Sequence, residues 1–199
     1  MTSKKSISGE DLRAGSFYPW TPAGYAGEPI TKLLPVSNTR GIRIATRSDK
    51  SIALIVLYDT SEQSQWPNNY DEETKILTYF GDNRDLDKPF DSKPGNVRLQ
   101  EAFGIFHDHL LDRTHIPLFL YFKKSTVQSG VTFVGLFVPG SSNLPPGADL
   151  FVVQNPSNIC AKFTKLDVGI VSREFLDAFI ASPTTNFAPS AYRNWVEEE

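Results

Sequence analysis

One cysteine, Cys160, in 199 residues leaves no partner for an intramolecular disulfide, so a reducing compartment is expected, most simply the cytoplasm. Long apolar runs are missing as well. SIALIVLY and LFLYF are of strand length, far short of the roughly 20 residues that cross a bilayer, and the opening MTSKKSISGEDL lacks the apolar centre of a secretory signal. No membrane partner is expected. Basic excess is the third absence: 20 Lys and Arg against 23 Asp and Glu give a net charge of −3, which argues against binding nucleic acid by overall charge. Only a local basic face is left open, and residues 40–50, RGIRIATRSDK, supply one candidate, with Arg40, Arg43, Arg47 and Lys50 set against Asp49 alone. The alternative for that stretch is a solvated strand edge whose arginine stems cover apolar surface.

Catalytic signatures are also lacking. The three histidines fall close together, His107, His109 and His115, but residues two apart point about 200° away from each other on a helix, so His107 and His109 cannot grip one ion. Asp108 and Asp112 have the spacing of a carboxylate pair, yet nothing else converges on them. There is no phosphate loop, nucleophile elbow, zinc-ligand set or dinucleotide fingerprint. The acidic fragment DLDK at 85–88 has no strand to aim it at a magnesium ion, and Cys160 sits in a strand-like segment as a small hydrophobe. Neither catalytic residue nor metal nor cofactor is expected; an enzyme with unrecognised residues ranks last among the readings.

What the chain does have is strand signal. A composition 40% apolar and 22% charged is that of a globular chain, and the length suits one domain. From residue 41 onward GIRIATR, SIALIVLY, KILTYF, PLFLYFKK, VTFVGLFV, DLFVVQ and CAKFTKL follow one another. Loops rich in Gly, Pro, Asn and Ser separate them and favour hairpins over helical crossovers. Two helices interrupt: residues 96–111, with Asn96 as N-cap and Leu99, Phe103, Phe106 and Leu110 on one stripe, and residues 172–181, with Ser172 as cap and Pro183 beyond the end. The expected fold is α+β, a strongly curved, mainly antiparallel β-barrel of about seven strands with two flanking helices. Residues 1–40 read as an irregular arm packed on the domain, 41–190 as the domain, and 191–199 as the start of a linker or tail.

The segment WPNNYDEETKILTYFGDN, residues 66–83, is either an aromatic hairpin of the core or a pocket for a flat polar ligand. As a pocket it offers rings from Tyr79, Trp66, Tyr70 and Phe80 and polar groups from Asn68, Asp71, Asp82 and Asn83. Such a set suits a base taken out of its stack, held by its faces and checked at its edge. A cytosine edge presents an amino donor and so needs an Asp or Asn oxygen, while a methyl at C5 needs only a shaped apolar recess.

Several stretches, in order, resemble a known family. DEETKILTYFGDNR resembles its acidic loop leading to a Tyr-x-Gly-Asp-Asn strand, KPGN at 93–96 the Gly-Asn that opens the next helix, and PITKLLPVSNTRGIR its leucine stretch with a glycine-arginine loop. CAKFTKLDVGIVSREFLDAF resembles its Phe-Thr-x-Leu strand and following helix, and SAYRNWVEEE the run towards its endonuclease domain. The chain is thereby similar to the N-terminal recognition domain of the AspBHI/MspJI-type modification-dependent restriction endonucleases, a fold like the SET- and RING-associated (SRA) domain that flips 5-methylcytosine.

The resemblance implies a module that binds double-stranded DNA containing a modified cytosine, without catalysis of its own, either as the partner of a C-terminal nuclease domain or as a single-domain protein. It implies Tyr79 as the stacking ring, with Asn68 and Trp66 in the base pocket. Asn68 stands where the family has aspartate; an amide is a weaker acceptor and adds a donor, so it can meet a cytosine amino group or a carbonyl, and Asp71 and Asp59 are the alternative acceptors. For DNA contact it points to Arg40, Arg43, Arg84, Asn83 and Lys123, with Lys124 beside it. The rival reading is a non-catalytic barrel that binds a small molecule or protein through its aromatic pocket, in keeping with a pI near 5.7.

Overall fold

The computed structural model describes residues 9–22, 27–60, 65–83, 85, 87–108, 112–141, 144–145, 147–154 and 157–198. All seven expected strands are present: β3 (Ile42–Thr46), β4 (Ile52–Asp59), β6 (Ile76–Phe80), β7 (Leu118–Lys124), β8 (Gly130–Pro139), β9 (Leu150–Val153) and β10 (Asn158–Lys165). Four short strands join them, β1 (Leu12–Arg13), β2 (Phe17–Pro19), β5 (Asn69–Tyr70) and β11 (Ile170–Val171). Two or three residues carry no alternation to read, so their pairing comes from the tertiary fold.

The main sheet runs β3-β4-β7-β8-β10-β6-β5, with β2 added to β8 and β9 added to β10; β1 and β11 form a separate pair. Every pairing is antiparallel except that of β4 with β7. Those two strands are the chain's near-continuous apolar runs, as parallel strands covered on both faces tend to be. β8 changes partner along its length, pairing β2 through Gly130–Thr132 and β10 through Phe137–Pro139. The fold is thus α+β with a mostly antiparallel sheet, but no barrel closure is found among the described residues. Closure would require β3 to hydrogen-bond β5, whose two residues pair with β6.

The described residues contain four α-helices, not two: α1 (Pro29–Leu33), α2 (Pro94–His107), α3 (Arg173–Ala181) and α4 (Ser190–Glu197). α3 forms where the sequence places it. Ser172 Oγ accepts from the Phe175 N–H at 3.2 Å, and Phe175, Leu176 and Phe179 are buried on one stripe. α2 starts two residues before the expected Asn96 cap, because Pro94 suits the first helical position and leaves Lys93 as cap without a side-chain bond. It ends at His107, and Leu110, expected on its stripe, lies outside the described residues. Residues 190–197, in the stretch expected to begin a linker, are helical. Tyr192 packs its ring 5.3 Å from Phe175 and 6.1 Å from Phe179, and the Arg113 guanidinium covers Trp195 at 5.3 Å. No helix among the described residues is long and apolar enough to cross a membrane.

The N-terminal segment is tied to the sheet by β2 and by a buried ion pair. Glu28 caps α1, its Oε2 accepting from the Thr31 N–H at 2.8 Å, while its Oε1 meets Arg43 Nη1 of β3 at 2.9 Å. Both side chains are almost wholly buried, at 1% and 3% exposure. A charge in that position is tolerable only with its partner. Replacing Arg43 alone by Met, which strands the Glu28 carboxylate, should therefore cost about 3–5 kcal/mol of unfolding free energy. The double variant Glu28→Gln/Arg43→Met should recover a large part of that loss, as read by denaturant unfolding with tryptophan fluorescence.

Candidate nucleic-acid interface

A cavity of about 540 Å³ opens where the N-terminal segment, the start of β3, the end of β4, the turn after β6 and the start of α2 meet. Its lining includes Trp20 and Asn38 from the first, Arg40, Gly41 and Arg43 from the second, Tyr58 and Thr60 from the third, Asp82 from the fourth and Lys93 from the last. The volume falls within the range of small-molecule pockets. Arg40 is exposed and Lys93 half-buried, so two cations lie at an opening that also holds a carboxylate.

The local chain explains this convergence. Arg40 takes a left-handed φ of 75°, which turns the loop sharply into β3. Gly41 then passes so close beneath the cavity that a Cβ there would lie 2.8 Å from Tyr79 Oη and 2.9 Å from Asp82 Oδ1. The glycine expected to let this loop approach DNA is needed for approach to the chain's own floor. Tyr58 is fixed on one face: the Arg43 guanidinium sits 4.6 Å from its ring centroid, a cation–π contact out of bulk water. Asp82 is held by its backbone N–H, which donates to Asn96 Oδ1 at 2.8 Å, and by the Ile42 N–H, which donates to its Oδ2 at 3.3 Å. Thr60 Oγ1 is buried with no partner among the described residues.

The residues expected from the sequence are not all gathered here. Tyr79 is 1% exposed. Its ring lies 6.5 Å from Tyr121 and its hydroxyl donates to the Tyr58 carbonyl at 3.1 Å, so it supports the cavity floor and offers no open face for stacking. Burial, then the nearby charges of Asp82 and Asp59, hold its phenol well above the ordinary range, so it remains a donor. Asp59 is turned inward, accepting from Tyr121 Oη at 3.0 Å, and burial with this carboxylate pushes the Tyr121 phenol up too.

Alternation along β6 accounts for the rest, since neighbouring strand residues face opposite ways. Phe80 lies on the side away from Tyr79 and packs on Trp66 at 5.3 Å, and Asn68 Oδ1 accepts from the Phe80 N–H at 2.9 Å. Asn68 Oδ1 thus pins its loop to the strand, while Asn68 Nδ2 and Trp66 Nε1 are buried without a hydrogen-bond partner among the described residues. Tyr70 meets Phe137 edge to face at 5.5 Å. Asp71 closes an exposed turn, where the Thr74 and Glu73 N–H groups hold its carboxyl below the usual range.

Among the expected DNA contacts, Arg40 lines the cavity and Lys123 is exposed at the end of β7. Arg43 is engaged with Glu28, and Asn83 is an internal clamp, donating to Lys88 O at 2.9 Å and Ser157 O at 2.6 Å. Arg84 lies outside the described residues. The basic stretch 40–50 divides: Arg47 is also buried, donating to Phe179 O and Ile52 O, and its burial lowers its pKa. Outside the cavity, His107 pairs with Asp149 at 2.9 Å and Asp85 with Lys88 at 3.0 Å. Among the described residues no three His, Cys, Asp or Glu side chains are placed to hold a metal ion. Trp20, Tyr58, Thr60 and Lys93 do not stand out in the sequence; the one available signal is Tyr58, a polar-tipped ring that follows the aliphatic run of β4.

No curated protein matches the chain. Among solved structures, the DNA modification-dependent restriction endonuclease AspBHI superimposes with a TM-score of 0.83 at 29% identity, over 94% of this chain and 50% of that one. The chain therefore spans about half the length of AspBHI. The DNA recognition domain of the cytosine modification-dependent restriction endonuclease LpnPI matches with a TM-score of 0.80 at 27% identity, over 96% of this chain and 89% of that one. The MspJI restriction endonuclease in complex with a 27-mer oligonucleotide shares the fold, with a TM-score of 0.61 at 17% identity over 96% of this chain and 51% of that one. A family model, Restriction endonuclease AspBHI N-terminal, matches residues 15–199. The chain belongs to this family of N-terminal recognition domains of modification-dependent restriction endonucleases.

Proposed function

We propose that the chain binds double-stranded DNA and reads a modified cytosine, 5-methylcytosine or a relative, by taking the base out of the duplex into the cavity beside Tyr58. The observation that carries this reading is the cavity itself: aromatic rings from Tyr58 and Trp20, an acceptor from Asp82, and the cations Arg40 and Lys93 converge there, in a family of DNA recognition domains. An extrahelical base needs a face to stack on and an edge to be checked. Tyr58 supplies the face, stiffened by Arg43, and the Asp82 carboxylate accepts from a cytosine amino group. Arg40 and Lys93 answer the flanking phosphates, and Lys123 is a candidate for a more distant one. A chain of net charge −3 binds by this local field, not by its total charge.

In this reading residues 41–190 form the recognition unit, the preceding segment completes the cavity through Trp20 and Glu28, and cleavage belongs to a separate nuclease module. The base-reading roles expected for Asn68, Trp66 and Asp71 pass to cavity residues, and Tyr79 acts from beneath.

The test is titration of duplexes carrying one 5-methylcytosine, 5-hydroxymethylcytosine, glucosylated cytosine or plain cytosine at matched ionic strength. A modified duplex is expected to bind more tightly, with affinity falling as salt rises; equal affinity for all four would sink the proposal. Tyr58→Ala should remove the preference, at roughly 1–3 kcal/mol for lost stacking. Arg40→Ala should weaken modified and plain duplexes alike and reduce the salt slope by about 1. Tyr79→Phe separates floor from wall: it should lower unfolding free energy by about 0.5–1.5 kcal/mol through the lost bond to Tyr58 O, while the preference in the same titration persists.

A further inference from the structure

Beneath Asp82 lies a pair of buried amides that the cavity does not expose. Asn96, in the first turn of α2, and Asn158, at the start of β10, are both wholly buried. Asn96 Oδ1 accepts from the Asp82 N–H at 2.8 Å, and Asn96 Nδ2 donates to Phe90 O at 2.8 Å and to Asn158 Oδ1 at 3.3 Å. Asn158 Oδ1 also accepts from the Ile159 N–H at 2.9 Å, and its Nδ2 donates to Gly81 O at 3.0 Å. The single peptide group that joins Gly81 to Asp82 is thus gripped at its N–H by Asn96, from a helix, and at its carbonyl by Asn158, from a strand. Two glycines make the grip close: a Cβ on Gly81 would collide with the Asn96 side chain, and one on Gly95 would lie 2.8 Å from Asp82 Oδ2.

We infer that Asn96 and Asn158 are positioning residues for base recognition: their amide relay holds the turn after β6 so that the Asp82 carboxylate faces the cavity. This rests on the reading of Asp82 as the edge reader. The chemistry favours a purpose beyond stability. Buried side-chain amides must have both donor and acceptor capacity met, and an apolar pair would fill the same space without that demand. Only a polar pair can fix the Gly81 carbonyl and the Asp82 N–H at once, and so set the direction in which the carboxylate leaves the backbone. Gly95, in the first turn of α2, also brings the carboxylate to the positive end of that helix, where an anion is favoured.

The test uses the 199-residue chain and two duplexes, one with 5-methylcytosine and one with plain cytosine at that position. Asp82→Ala reports what the reader contributes. Asn96→Ala should lower the affinity ratio between the duplexes on the order of tenfold, approaching Asp82→Ala, with plain-duplex affinity and salt slope retained. Asn158→Ala, which keeps the bond between Asn96 and Asp82, should give a smaller loss of the same kind and serves if Asn96→Ala does not fold. Phe179→Leu, a core change in α3, controls for instability and should leave the ratio unchanged. A wild-type ratio in both asparagine variants, while Asp82→Ala abolishes it, overturns the relay alone. Equal wild-type affinity for the two duplexes overturns the base-reading proposal and the relay with it.

Discussion

The buried pair between Glu28 and Arg43 is the constraint on which the cavity's geometry depends. Each partner does two things. Glu28 caps α1 with one carboxylate oxygen and pairs with the other; Arg43 pairs through Nη1, donates from Nε to the Arg40 carbonyl at 3.0 Å, and covers the Tyr58 ring. One ion pair therefore sets the N-terminal segment, the rim carrying Arg40 and the aromatic wall relative to one another. Desolvating two charges is costly, and their mutual attraction with the surrounding hydrogen bonds must offset it. An apolar pair of the same volume could hold α1 against β3 without holding either Arg40 or Tyr58.

The placement of charge follows from this. In a chain with a small acidic excess, two of the four cations of the stretch 40–50 are spent on structure: Arg43 on Glu28, and Arg47 on the Phe179 carbonyl of α3 and the Ile52 carbonyl of β4. What faces outward at the cavity is Arg40 and Lys93, with Asp82 between the elements that carry them. A field so limited favours a short contact with the nucleic-acid backbone over a long electrostatic track.

Much of the architecture was legible. The seven longer strands have the alternating or continuous apolar patterns that burial demands, and α3 carries its cap, stripe and terminating proline in sequence. The short strands, the helical character of 190–197 and the parallel register of β4 with β7 were not, because each is decided by neighbours distant in the chain. α4 owes its place to Tyr192 and Trp195 against α3, and β2 to the edge of β8. The residues that the sequence suggests for a base pocket fall into separate groups in space. LTYFGDN does lead to the cavity, through Asp82, but sequence proximity put Trp66, Asn68 and Tyr79 together, whereas the pleat of β6 separates them. Arg40, expected at a DNA contact, lines the cavity, and the glycine beside it is the local mark of its loop. Trp20, Thr60 and Lys93 come from three separate segments, and no local pattern joins them. Asn96 was assigned to helix capping on residue type, and only the structure shows its side chain reaching across to the turn after β6.

The parallel pairing of β4 with β7 carries a kinetic consequence. Neither strand can zip onto the other from a tight turn, since the whole chain from residue 60 to 117, with β5, β6 and α2 inside it, must loop round before Asp59 can lie beside Lys123. Loop closure of that length precedes its reward in contacts. Tyr58 and Thr60 lie at the end of this seam, so the recess they line requires that long loop to have closed.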